Sequence, residues 1–188
     1  VAETKHLWEN ERSPEAGAKV NCYDHTEELV WRHLNVFEHK CEVRCELPRG
    51  KCLQSGKVYR VRPPWEGLSK HFTQSFEAMA LLLMREMSVS AAGRMMKEHD
   101  TRMWRILKAH VEVAYRQTDW SEVISVGCDE LSARKGHRYV SVFCDLIGKR
   151  VMFATKGKDK SVWKAFAEAL EAHNGHPRAI KEISMDMS

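Results

Sequence analysis

From Phe72 to Gln117 the chain contains no proline and a single glycine, Gly93, while the segments on either side are punctuated by both residues. A stretch of that length without breakers favours helix, and its apolar spacing says where the helices lie. Phe72, Phe76, Met79, Ala80, Leu83 and Met87 recur at three- and four-residue steps, which predicts one buried stripe. Ser88 is placed to cap a second helix from Val89 to Lys97. Asp100 or Thr101 caps a third, in which Met103, Ile106, Leu107, His110, Val111 and Ala114 share a face. The methionines of these stripes read as core.

The short Glu98-His99-Asp100 turn before the third helix is the punctuation of a helix-turn-helix, whose last helix enters a DNA major groove. Thr101, Arg102, Trp104, Arg105 and Lys108 then point off the apolar stripe and become the candidate DNA contacts. The competing reading is a plain three-helix bundle with a solvated basic edge.

Ahead of this block the period is two. From Val36 to Leu47 the odd positions Phe37, Cys41, Val43, Cys45 and Leu47 are apolar, with His39 interrupting, which predicts a half-buried strand. Pro48-Arg-Gly50, Ser55-Gly56 and Pro63-Pro64 mark turns of a small β-rich module ending near Trp65. So thin a core calls for a metal or a neighbour. Residues 1 to 20 are mostly polar, and Ser13-Pro-Glu-Ala-Gly17 is turn-like. The six cysteines include no Cys-x-x-Cys pair and follow no secretory signal, which argues against a disulfide framework. Cys41 and Cys45 read as small packed hydrophobes.

Past Asp119-Trp120 an α/β pattern begins. Strands are expected over 123–128, 139–144 and 151–155, with an Ile147-Gly148-Lys149 turn joining the last two. A helix from Ser161 to about His173 buries Val162, Trp163, Phe166, Ala169 and Leu170, and a fourth strand runs from Ile180 to Met185. Asp129 is expected at the end of the first strand and Asp186 at the end of the fourth, side by side if those strands are parallel. Carboxylates so placed suit magnesium, and two such ions about 4 Å apart carry out phosphodiester chemistry. Solvated strand ends are the bland alternative.

The composition agrees with a globular protein: 188 residues, 43% apolar, net charge +4. The charge is concentrated, with Lys149, Arg150, Lys156, Lys158, Lys160 and Lys164 against Asp159 alone between positions 149 and 164. The longest apolar run, Ala78 to Met84, has seven residues, too short for a membrane span. No leader precedes the polar start, so a cytoplasmic location is expected, although the chain opens on Val rather than Met.

Several segments together resemble the ISL-three family of insertion-sequence transposases. They are Trp31-Arg-His-Leu-Asn35, Pro64-Trp65, Met103-Trp-Arg-Ile-Leu107, Gly127-Cys-Asp-Glu130, Arg134-Lys-Gly-His-Arg-Tyr-Val140, Gly157-Lys-Asp-Lys160 and Ser184-Met-Asp-Met-Ser188, in order along nearly the whole chain. The resemblance implies a multidomain α+β protein. A small β-rich, zinc-ribbon-like module would occupy 1–66, a helix-turn-helix three-helix domain 67–118, and part of an RNase H-like α/β domain of the Asp-Asp-Glu class 119–188. It implies Asp129 and Asp186 as catalytic magnesium (or manganese) ligands. Arg134, Lys135, His137 and Arg138 would lie near the bound strand. The implied partner is double-stranded DNA at terminal inverted repeats, met by a homodimer of the full-length parent in the bacterial cytoplasm at the nucleoid.

The departures from the family pattern carry information too. The first zinc knuckle is replaced by Ser13-Pro-Glu-Ala-Gly17 and the second survives as Cys52-Leu-Gln-Ser-Gly56 with one ligand, which leaves only a makeshift zinc site of Cys22, His25 and Cys52. The family's catalytic glutamate lies beyond position 188. A C-terminally truncated and inactive transposase is therefore expected, or alternatively a non-catalytic DNA-binding remnant or repressor.

Overall fold

A computed structural model of the chain describes residues 20–134 and 138–185. It divides into two compact units on either side of Glu112. The first contains β1 (Val20–His25), β2 (Leu29–Val36), β3 (His39–Cys45), β4 (Pro48–Cys52), β5 (Val58–Arg60), α1 (Gln74–Glu86), α2 (Val89–Met96) and most of α3 (Asp100–Gln117).

The strands form an antiparallel sheet in the order β1-β4-β5 and a separate β2–β3 hairpin. Along β3 the expected alternation holds, with half-buried Cys41, Val43 and Cys45 between exposed Lys40, Glu42 and Arg44. Phe37, expected on the inner side of that strand, is instead a turn residue. It lies with Glu38 between β2 and β3, at φ 53° and 93% exposed. The period-two pattern ran on past the point where the backbone reverses, because a two-residue turn barely interrupts it.

Polar side chains help close this region. Trp31, Leu47 and Val61 are buried. Glu66 accepts a hydrogen bond from Trp31 Nε1 at 3.1 Å and pairs with Arg60 at 2.9 Å. The helices follow their sequence signals, except that α3 starts at Asp100, so Asp100 and Thr101 lie in its first turn rather than capping it. Thr73 and Ser88 cap α1 and α2, each hydroxyl accepting a backbone N–H three residues on. Phe72, Phe76, Ala80, Ala92, Met96, Met103 and Ile106 form the core. The single glycine explains itself: a Cβ on Gly93 would lie 2.9 Å from the carbonyl oxygen of Glu98, where the α2–α3 turn closes onto it. Three stripe expectations fail, since Met79, Val111 and Ala114 are exposed. No residue of α3 beyond Ile106 is fully buried; Leu107, His110 and Tyr115 are half-buried, His110 against Glu77 and Tyr115 against Trp120 and His173.

The second unit contains β6 (Ser125–Arg134), β7 (Arg138–Asp145), β8 (Arg150–Lys156), α4 (Ser161–Ala172), a 3₁₀ turn at Pro177–Ala179 and β9 (Glu182–Met185). Its sheet has the order β8-β7-β6-β9, antiparallel except for β9, which runs parallel to β6. The chain returns through α4 to make that parallel pair, as a crossover must. Trp120, Val123, Val126, Phe143, Met152, Val162, Phe166 and Leu170 build the core, with the Phe143 and Phe166 rings stacked at 4.3 Å. The expected β7–β8 turn is held by Asp145, whose Oδ1 accepts the N–H groups of Ile147 and Gly148 at 3.1 and 2.9 Å.

Candidate nucleic-acid and metal-binding sites

On α3, Thr101, Trp104, Arg105 and Lys108 are exposed, Trp104 by 56%. They stand clear of the stripe that buries Met103 and Ile106. Arg102 differs from the others. It donates to Glu98 Oε2 at 2.7 Å and its guanidinium lies 4.5 Å from the centre of the Phe72 ring, so it braces the turn before α3. The other oxygen of Glu98 pairs at 3.3 Å with Arg32, and both side chains are only 4% exposed. Arg32 also donates to the carbonyls of Cys41 and Met96 at 3.2 Å, to the carbonyl of His33 and to the Asn35 side chain. Sequence reasoning missed this network. Its signal was an arginine inside the apolar run Trp31-Arg-His-Leu34, where an unpaired charge is too costly to stand. A second buried acid, Glu77, accepts the N–H groups of Leu68 and Ser69 and meets His110 Nε2 at 2.8 Å.

Asp129 does not end its strand. It is followed by five more residues of β6, paired with β7 as far as Arg134. The apolar signal stopped at Cys128, but pairing with β7 continues the strand through polar residues. Its parallel neighbour β9 is described as far as Met185, which pairs with Cys128. Val126 and Cys128 pack into the α4 core, so strand alternation sends Asp129 to the opposite face. The carboxylate is exposed, and its Oδ1 accepts the N–H of Glu130 at 2.7 Å. Among the described residues no cationic side chain pairs with it. A hard oxygen donor in that state fits magnesium chemically.

Asp186, Lys135 and His137 lie outside the described residues. Arg134 and Arg138 face each other across β6 and β7 by backbone pairing. The basic run resolves into two groups. Arg150 pairs with Asp145 at 3.2 Å and Lys164 with Glu168 at 4.0 Å. Lys149, Lys156, Lys158 and Lys160 meet no carboxylate among the described residues. Lys156 pairs with Val140, which pairs with Leu131, putting it on the Asp129 face of the sheet. Lys158 Nζ lies 4.2 Å from the centre of the Tyr139 ring. The one acid of the run, Asp159, is engaged elsewhere: hydrogen bonds from the Ser161 hydroxyl and N–H hold its carboxyl below the usual aspartate range. Burial pushes the Cys128 thiol up, with Glu130, Asp129 and Cys144 adding to the effect, which makes it a packing group rather than a nucleophile.

Cys22, His25 and Cys52 are not drawn together. Cys22 and His25 are exposed while Cys52 is 1% exposed. Among the described residues no three His, Cys, Asp or Glu side chains converge as metal ligands. No described helix is long and apolar enough to cross a membrane.

Two family models match the chain. One, described as the helix-turn-helix domain of transposase family ISL3, covers residues 69–111. The other, described as a transposase, covers residues 126–188. Among curated proteins, the transposase for insertion sequence element IS1001 of Bordetella parapertussis is 27% identical over 93% of this chain and 42% of its own length. The transposase for insertion sequence element IS1557 of Mycobacterium tuberculosis is 28% identical over 93% of this chain and 39% of its own length. The chain thus spans about two fifths of the curated relatives it matches. No solved structure matches it.

Proposed function

We propose, from the match of residues 69–111 to a helix-turn-helix model of transposase family ISL3 and of residues 126–188 to a transposase model, that the chain is the DNA-recognising part and the first part of the catalytic domain of an insertion-sequence transposase. The observation that carries this reading is the parallel pairing of β9 with β6, Met185 opposite Cys128, in a sheet ordered β8-β7-β6-β9. That order, with a helix crossing over before the parallel strand, supports an RNase H-like fold. Asp129 follows Cys128 in β6, and in the sequence Asp186 follows Met185, the residue paired with Cys128.

In this reading Asp129 and Asp186 hold divalent magnesium or manganese. When bound, such ions polarise the attacking water or hydroxyl and offset charge on the leaving oxygen of a phosphodiester. The chain's own part is positional. Asp129 presents an exposed carboxylate braced by the Glu130 N–H. Lys156, Lys158 and Lys160 hold the phosphate backbone, and Arg134, Lys135, His137 and Arg138 take the same role as cations of the sequence between β6 and β7. In the first unit Trp104, Arg105 and Lys108 read the terminal inverted repeat from the exposed side of α3. Arg102 holds the turn that aims them. The β-rich module serves as a ribbon-like scaffold closed by the Glu66 ion pairs rather than by zinc. Pairing of two full-length copies brings the two element ends together.

The test is a gel shift with duplex DNA carrying the terminal repeats of the insertion sequence that encodes the chain. Wild type is expected to bind this duplex more tightly than a scrambled one. Arg105→Ala and Lys108→Ala, whose side chains make no buried contact, should weaken that preference without lowering thermal stability. Equal binding by wild type and both variants would remove α3 as the reader.

A further inference from the structure

We infer that Phe37, at the tip of the β2–β3 hairpin, is a second DNA-contacting element: an apolar wedge set against the bases beside the groove that α3 enters. This rests on the helix-turn-helix reading proposed above. Phe37 is 93% exposed, far more than any other large apolar side chain among the described residues. It also sits at φ 53°, a left-handed conformation that a bulky L-residue adopts only under constraint. A phenylalanine at this position gains nothing from burial, and the backbone works against it. Glycine or asparagine would suit the turn better.

The hairpin tip is not loose. Lys97 Nζ donates to the Glu38 carbonyl at 2.7 Å and meets its carboxylate at 3.2 Å. Lys40 stands 4.0 Å from Glu98. Arg32 ties β2 to the carbonyls of Cys41 on β3 and Met96 on α2. The tip is therefore fastened to the turn between α2 and α3. In a helix-turn-helix the N-terminal residues of the recognition helix contact base edges, so the turn before it lies at the duplex surface. Whatever is fastened to that turn lies there too. Lys97 compensates Glu38, the one acid at the tip, and Lys40 and His39 complete a surface that does not repel phosphates. An exposed aromatic held rigidly at such a place matches the apolar side chains that architectural proteins insert at base steps. It has the same chemistry as aromatic platforms on which bases stack.

The experiment measures affinity for the repeat-bearing duplex by fluorescence anisotropy across a salt series, together with thermal unfolding and sedimentation of the free protein. Phe37→Ala and Phe37→Gly are expected to weaken binding about 5- to 150-fold, the equivalent of roughly 1–3 kcal/mol for one base–aromatic contact. The salt slope should not change, since no charge is lost. Phe37→Trp should bind like wild type, and Phe37→Gly should unfold no earlier than wild type, because its φ suits glycine. Binding by Phe37→Ala within twofold of wild type would overturn the inference. So would a change in oligomeric state with unchanged DNA affinity, which would make the tip a protein contact. If wild type binds no duplex, the helix-turn-helix reading fails and this inference with it. If Arg105→Ala weakens binding and Phe37→Ala does not, only the wedge fails.

Discussion

The Arg32–Glu98 pair shows how much one buried charge can decide. Each side chain is 4% exposed, and each is satisfied on several sides, Glu98 by Arg32 and Arg102, Arg32 by four carbonyl or amide oxygens besides. A buried pair is weak evidence of net stabilisation, but removing one partner leaves the other charge uncompensated. Glu98→Gln keeps the shape and deletes the charge. It should lower the unfolding free energy by roughly 3–5 kcal/mol, read from the urea midpoint at constant slope. A loss below about 1 kcal/mol would mean that solvent reaches Arg32 after all. The sequence shows an arginine among apolar residues, but its partner lies 66 positions away. No local pattern points to that partner.

At the scale of elements, the α2–α3 turn depends on Gly93. Its φ is ordinary, and the constraint is space, because an added Cβ would meet the backbone carbonyl of Glu98 at 2.9 Å. Alanine is otherwise the better helix former by about 1 kcal/mol. Gly93→Ala is therefore expected to be net destabilising by roughly 1–2 kcal/mol, the overpacking cost exceeding the propensity gain. Differential unfolding of the variant against Ser90→Ala, an exposed helix position, checks this. Elements of this unit were legible where the signal is local. Ser88 stands where a cap is required, and α2 follows. Phe37 misled for the same reason. An apolar residue in step with a period-two pattern says nothing about whether the backbone turns there.

For the molecule as a whole, the net charge of +4 understates its capacity for a polyanion. Much of the basic content is consumed internally, by Asp145, Glu168, Glu66 and Glu98. Lys149, which like Lys156, Lys158 and Lys160 meets no carboxylate among the described residues, lies in the β7–β8 turn at the start of β8, while those three lie at and after its end. If they contact phosphates, the triple substitution to glutamine should reduce the slope of log K against log salt by about 2.7, at roughly 0.9 per phosphate contact on duplex DNA. Lys149→Gln with Lys164→Gln is the control and should leave the slope near that of wild type. Equal slopes for the triple variant and wild type would move the phosphate track elsewhere on the surface.

What the amino-acid order determined by itself was local: helices α1 to α4, the Ser88 cap of α2, the β7–β8 turn, and the identity of a carboxylate after an apolar run. Periodicity, capping and turn chemistry act over a few residues, so they can be read within a few residues. Only the tertiary structure decided that β9 lies parallel to β6 with Met185 opposite Cys128, that Asp129 sits within a longer strand on the face away from α4, and that Phe37 stands out at a turn fastened to the end of α2 and the turn after it. Strand pairing and charge burial join residues tens of positions apart. Their energies depend on which surfaces meet, and no short window of sequence contains both.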